Sequence, residues 1–166
     1  LDLIVKLASI DPKNNYYIYG NKKQVKLSNC NKIKKNLYLN DYVPYKNIPK
    51  ILLNMDLLLM PYTSSITVSG DVGNITKYTS PLKLFDYLSV GRPIMCSNFN
   101  VLREIITENK NAIFVKNYKN ARSWKNEITK LINKQEKMKI ISKNNYKLSK
   151  KYSHSIRAIK ILNIIK

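Results

Sequence analysis

The chain has 166 residues, of which 44% are apolar. That is enough for one domain with a sizeable core, which excludes a wholly disordered polycation. Lys and Arg number 30 against 10 for Asp and Glu, a net charge of +20, while two lone cysteines and a single histidine are too few for a four-ligand zinc site. No apolar run approaches the roughly 18 residues of a membrane-spanning helix. Leu1 opens in mid-pattern, with no initiator Met and no signal peptide. These features give the expectation of a piece of a longer protein from a reducing cytoplasm.

Leu3, Leu7 and Ile10 recur at helical spacing, so Leu1–Ile10 reads as a helix that Asp11-Pro12 stops. Tyr16–Tyr19 is a short β-rich strand ended by Gly20. Residues 21–35 are polar and basic, a loop or a poor helix. Asn36–Val43 alternates as a second strand, and Pro44–Met55 carries Ile48, Ile51, Leu52 and Met55 on one helical face. The apolar run Asp56–Met60 suits a strand buried on both faces. Residues 61–79 hold Ser, Thr and Gly without a period, and such a long loop in a compact domain is usually functional. Then come a helix over Ser80–Val90 closed by Gly91, a strand over Pro93–Ser97, a short helix over Val101–Thr107 and a strand over Ala112–Val115. Helices over Ala121–Ile132, Gln135–Lys150 and Ser155–Ile165 complete the chain. Strand and helix alternate throughout, which means an α/β domain with one parallel sheet and helices on both faces. Ligands bind such sheets at the carboxyl ends of the strands.

The charge has two readings. Lys, Asn and Ile make 68 of the 166 residues and Arg only 4, which is what A/T-rich coding drift produces. Nucleic-acid readers lean on Arg, so nucleic acid is not the expected partner. Drift leaves the distribution unexplained, because residues 137–166 carry nine basic side chains and no acidic one. Met138, Ile140, Ile141, Tyr146 and Leu148 alternate with these cations, a pattern that fits docking on an anionic membrane face.

The stretch Thr79–Pro93, TSPLKLFDYLSVGRP, is the most informative. Ser80 is a good N-cap, and Pro81 falls at the first helical position, where its missing N–H costs nothing. At about 100° per residue, Leu82, Leu84, Phe85 and Leu88 form one arc and Ser80, Lys83, Asp86 and Tyr87 the other. A helix N-terminus attracts anions, yet a first turn disfavours Lys, so a phosphate ligand would explain Lys83. Asp86, one turn deeper, is placed to accept from a ribose diol. The plainer reading of Lys83 and Asp86 is an exposed i, i+3 ion pair.

Several segments together resemble the donor-binding region of the family 4 (group 1) retaining glycosyltransferases: MDLLLMPY (Met55–Tyr62), SPLKLFDYLSVGRPIMCSN (Ser80–Asn98) and VLREII (Val101–Ile106). Asn111–Lys116 is similar to the strand that follows, and KYSHSIRAIKIL (Lys151–Leu162) to the closing helix. The resemblance implies a Rossmann-like domain, one half of a two-domain B-type fold, with residues 1–166 as the nucleotide-sugar-binding C-terminal domain and its closing helices from about 121. It implies transfer of a hexosyl group with retention, in bacterial polysaccharide or glycolipid synthesis; the lone cysteines and the basic C-terminal run add the expectation of a cytoplasmic enzyme, peripheral on the inner membrane face. The acceptor would bind a missing N-terminal domain, and the isolated fragment would be inactive. Ser80, Leu82 and Lys83 would hold the donor diphosphate, Asp86 the ribose, and Gly20, Tyr42 and Val43 the nucleobase. Tyr78 and Thr79 would lie near the sugar. The family's first signature Glu falls on Tyr78, and its second on Asp86, one methylene shorter. The nucleotide-sugar is a substrate, and neither cofactor nor metal is expected. A basic module binding nucleic acid or an anionic membrane surface is the alternative.

Other conspicuous residues have plainer explanations. His154 lies near a helix start, Cys96 in a buried strand, and Trp124 on a late helix as a packing anchor. Ser69–Asn74 contains glycines but matches no phosphate-loop pattern.

Overall fold

A computed structural model describes residues 2–20, 34–62 and 82–165. The chain order is α1 (Asp2–Ile10), β1 (Tyr16–Tyr19), β2 (Leu37–Asn40), a 3-10 turn (Tyr45–Asn47), α2 (Ile48–Leu53) and β3 (Leu58–Met60). There follow α3 (Leu82–Ser89), β4 (Ile94–Ser97), α4 (Asn100–Arg103), β5 (Ala112–Val115), α5 (Ala121–Ile132), α6 (Gln135–Ser149) and α7 (His154–Ile165).

Among the described residues every strand pairing is parallel, and the strands form two ladders. β1 pairs with β2, with Tyr16 opposite Leu37, and β4 lies between β3 and β5, with Ile94 opposite both Leu58 and Ala112. Alternation in the sequence counts strands without saying which are neighbours; the parallel α/β arrangement it predicts is the one observed. One edge of β1 and one of β3 have no strand partner among the described residues. A common core still joins the two sheets. Ile4, Val5 and Leu7 of α1, Tyr16, Leu37, Met95, Ile113, Val115 and Trp124 form one buried cluster. A second cluster holds Met60, Leu84, Leu88, Ile94, Cys96, Leu102 and Phe114. All four residues of β4 and of β5 are buried, as expected of strands covered on both faces.

Local chemistry sets the element ends. Asp11, which ends α1, is buried and accepts from the Tyr16 hydroxyl at 2.6 Å and from Asn14 at 2.8 Å. Asn36 Nδ2 donates to the carbonyls of Ala8, Asp11 and Asn14, which fixes the approach to β2. α3 ends in Gly91 at φ 63°, a left-handed position where an added Cβ would stand 3.1 Å from Tyr146 Cβ and 3.3 Å from the Ser142 carbonyl. α6 therefore rests directly on this turn. The buried Asn145 keys the same helix: it donates to the Arg92 carbonyl at 2.9 Å and accepts from Asn111 at 3.2 Å. Trp124 anchors α5 and donates its indole N–H to the Tyr118 carbonyl at 2.8 Å.

Several elements are shorter than their patterns predict, among them the strand over Asp56–Met60, which begins only at Leu58. The second strand stops at Asn40, and Pro44–Met55 divides into the 3-10 turn and α2, because Pro49 re-enters at the first turn of the helix. The helix predicted over Val101–Thr107 covers only Asn100–Arg103, since the amides of Ile105 and Ile106 both turn back to the Leu102 carbonyl.

Candidate functional site

The carboxyl ends of β1 and β2 lie side by side, joined by the Gly20 amide donating to the Asn40 carbonyl at 3.0 Å. Beyond Asn40 the chain has no regular structure until Pro44 (φ −54°, ψ 139°) turns it into the 3-10 turn. This loop projects two aromatic rings: Tyr42 is 75% exposed and Tyr45 71% exposed, with Val43 half-buried between them. Gly20, Tyr42 and Val43 therefore occupy one end of the β1–β2 sheet, the end where a nucleobase pocket is expected.

α3 supplies the charged part. Leu84 and Leu88 are fully buried and fix the helix against β4, leaving Lys83 exposed in the first turn. The first amides of a helix have no partner within it. Those of Leu82 and Lys83 stand at this open end. Two residues depart from the predicted arcs. Leu82 is 74% exposed, because at the first position of the helix it lies beyond the reach of the core. Tyr87 is half-buried, with its hydroxyl 3.5 Å from the Leu59 carbonyl, and burial pushes its phenol up to about 12.

Lys83 and Asp86 form no ion pair. Asp86 Oδ1 instead accepts from the Tyr45 hydroxyl at 2.7 Å, a bond joining the loop after β2 to α3 across 41 residues of sequence. That bond raises the Tyr45 phenol above its ordinary value. Among the described residues Lys83 has no ion pair or hydrogen bond. Tyr45 escapes sequence reasoning because no spacing rule relates it to Asp86. Its only signal is an aromatic residue directly after the proline that ends the loop.

The end of β3 is tied to β4 by the Ser97 hydroxyl, which donates to the Tyr62 carbonyl at 2.8 Å. Cys96, beside it, is a core residue, and burial pushes its thiol up, away from nucleophilic use. Tyr78, Thr79 and Ser80, the expected N-cap, fall outside the described residues, as do Pro81, Cys30 and the segment Ser69–Asn74. Among the described residues no three His, Cys, Asp or Glu side chains gather where they could hold a metal ion. No described helix is long and apolar enough to cross a membrane. A separate groove of about 730 Å³ runs between β5, α5 and the start of α6. Two of its lysines are engaged, Lys130 by Glu127 and Lys137 by Asn109, each at 2.7 Å.

The fold has solved counterparts. HepE from Anabaena, in a crystal structure with UDP-glucose, superposes with a TM-score of 0.65 at 14% identity, covering 89% of this chain and 39% of that one. The crystal structure of HepE with UDP gives a TM-score of 0.68 at 11% identity. TarM gives 0.68 at 19% identity, covering 97% of this chain and 30% of that one. The chain thus spans well under half the length of these proteins and corresponds to one Rossmann-like half of their fold. Comparison with curated proteins finds no match. The family model of the group 1 glycosyl transferases matches residues 1–148, from α1 almost to the end of α6, and the chain belongs to that family.

Proposed function

We propose that residues 1–166 are the C-terminal, donor-binding domain of a retaining hexosyltransferase. The observation that carries this is an exposed lysine in the first turn of α3, without an ion pair among the described residues, in a chain of the group 1 family. Lys83 and the amides of Leu82 and Lys83 take the diphosphate, with Ser80 at the cap. The dipole, amides and ammonium are fixed where charge grows as the sugar's anomeric carbon–oxygen bond breaks. The acceptor oxygen bonds that carbon on the same face, and its proton leaves. Asp86 takes the ribose and the Gly20, Tyr42 and Val43 end takes the base, while Tyr78 and Thr79 lie towards the sugar. Binding of UDP-glucose by HepE supports a nucleotide-sugar as the ligand class. The acceptor is a sugar, lipid or polysaccharide held by another domain, in bacterial polysaccharide or glycolipid synthesis. The enzyme works in the cytoplasm, against the anionic inner face of the membrane. The exposed side of α6 supports that placement, with Lys139, Ile140, Lys143, Tyr146 and Lys147 all exposed, as is Lys150 just after it.

Calorimetric titration with UDP, GDP and pyrophosphate tests the core of the reading. The isolated domain binds one nucleoside diphosphate saturably and without turnover. Lys83→Ala removes one charge-assisted contact and weakens both the nucleotide and pyrophosphate by roughly ten- to a hundredfold. Equal binding by Lys83→Ala and the parent would refute the phosphate site. Binding of any polyanion with steep salt dependence and no preference for a nucleoside would instead identify a basic surface module.

A further inference from the structure

We propose that Tyr45 is a positioning residue for Asp86, and that the pair forms a two-acceptor site selecting ribonucleoside over 2′-deoxyribonucleoside diphosphates. This rests on the donor-site reading above and adds to it the residue and geometry that choose the sugar of the nucleotide.

Asp86 is half-buried on α3, and no other side chain bonds its carboxylate among the described residues. A short, half-buried carboxylate with one such bond takes its orientation from that bond. The 2.7 Å bond to Tyr45 is a phenol-to-carboxylate contact, among the stronger kinds of hydrogen bond. It holds Oδ1 towards the loop after β2. Oδ2 remains free to accept.

Tyr45 is itself held at the backbone. It follows Pro44, whose φ is −54°, and the Asn47 amide closes the turn on the Pro44 carbonyl at 2.9 Å. Its ring is 71% exposed, so packing does not explain where it stands. The bond to Asp86 does. Because the carboxylate raises the phenol's pKa, the hydroxyl stays protonated and remains the donor through neutral pH.

The acceptor count follows from hydroxyl chemistry. Having donated its one proton to Oδ1, the Tyr45 oxygen keeps lone pairs for an incoming donor. Asp86 Oδ2 and Tyr45 Oη are then neighbouring acceptors, one charged and one neutral. A ribose presents two adjacent hydroxyl donors, at C2′ and C3′, which fill both. A 2′-deoxyribose presents one and leaves an acceptor unused. The pair joins the nucleobase loop to α3, so it lies where the sugar of a nucleoside bridging those elements must pass.

The test is calorimetric titration of residues 1–166 with UDP, 2′-deoxy-UDP and pyrophosphate, or the guanosine pair if GDP binds more tightly. The parent prefers the ribonucleotide by about tenfold, the worth of one hydrogen bond. Tyr45→Phe weakens ribonucleotide binding about three- to tenfold, brings the ribo/deoxy ratio close to one, and leaves pyrophosphate binding unchanged. Asp86→Asn also erodes the ratio, and the double variant is no worse than the weaker single one, because the two residues act as a unit. A ratio unchanged in Tyr45→Phe, or an equal loss of pyrophosphate binding, overturns the proposal. A parent that binds no nucleoside diphosphate overturns the donor-site reading first, and this proposal with it.

Discussion

Replacing Gly91 by Ala probes the contact that seats α6 beneath the tail of α3. The position has φ 63°, and placing a side-chain-bearing residue there costs about 1–2 kcal/mol. The added Cβ would meet Tyr146 Cβ at 3.1 Å and the Ser142 carbonyl at 3.3 Å. Neither is the far end of a flexible side chain, so the helices must separate slightly, and overpacking of this kind costs about 1–3 kcal/mol. Loss of glycine's freedom in the unfolded chain returns about 0.4–1 kcal/mol. The net is a destabilisation of about 1–4 kcal/mol. Urea unfolding followed by the fluorescence of the buried Trp124 reads it directly. With a slope of about 1–3 kcal/mol per molar, the midpoint falls by about 1 M while the slope is unchanged. A midpoint within about 0.2 M of the parent would refute the contact and the strain together.

Alkaline pH is a second probe. Tyr87 has its pKa raised to about 12 by burial, so the folded state keeps a proton that the unfolded state gives up above about pH 10. Its contribution is complete below pH 10 and is lost as pH rises towards 12. Denaturant titrations between pH 9 and 12 therefore show a shallower decline in Tyr87→Phe than in the parent, and identical slopes would contradict the burial argument. Asn145→Ala leaves the Arg92 carbonyl and the Asn111 amide without their buried partner. It should cost about 1–3 kcal/mol in urea unfolding, and a loss under about 0.5 kcal/mol would mean that water replaces the asparagine.

Much of the architecture was legible because β4, β5 and α5 carry unbroken apolar or strongly amphipathic patterns. The observed bounds of β5 and α5 match those read from the sequence. What pattern could not supply was adjacency. Nothing in YYIY or LLM says that β1 and β3 belong to different ladders. Nor does periodicity expose Asn145, a polar residue inside a basic helix, as a buried tie between α6 and the sheet. At the site, helix-start chemistry and family resemblance singled out Lys83 and Asp86. The relation between Asp86 and Tyr45 depends on where β2 ends relative to α3, which is a three-dimensional fact. Nor does pattern alone sort the apolar residues among the C-terminal cations: Ile141 is fully buried and Met138 packs on the core, while Ile140 and Tyr146, and Ile156, Ile159 and Leu162 of α7, are exposed.

The edges of β1 and β3 that carry no strand partner among the described residues bear on how this domain behaves in a test tube. Each edge offers backbone donors and acceptors to any strand that arrives, including one from a second molecule. A charge of +20 keeps such molecules apart at low ionic strength. Salt shortens the reach of that repulsion to about 8 Å at physiological strength and about 3 Å at 1 M. Colloidal lifetime and folding free energy are therefore set by different parts of the molecule. A purification that adds salt to protect a basic protein would remove the barrier that keeps these edges from meeting.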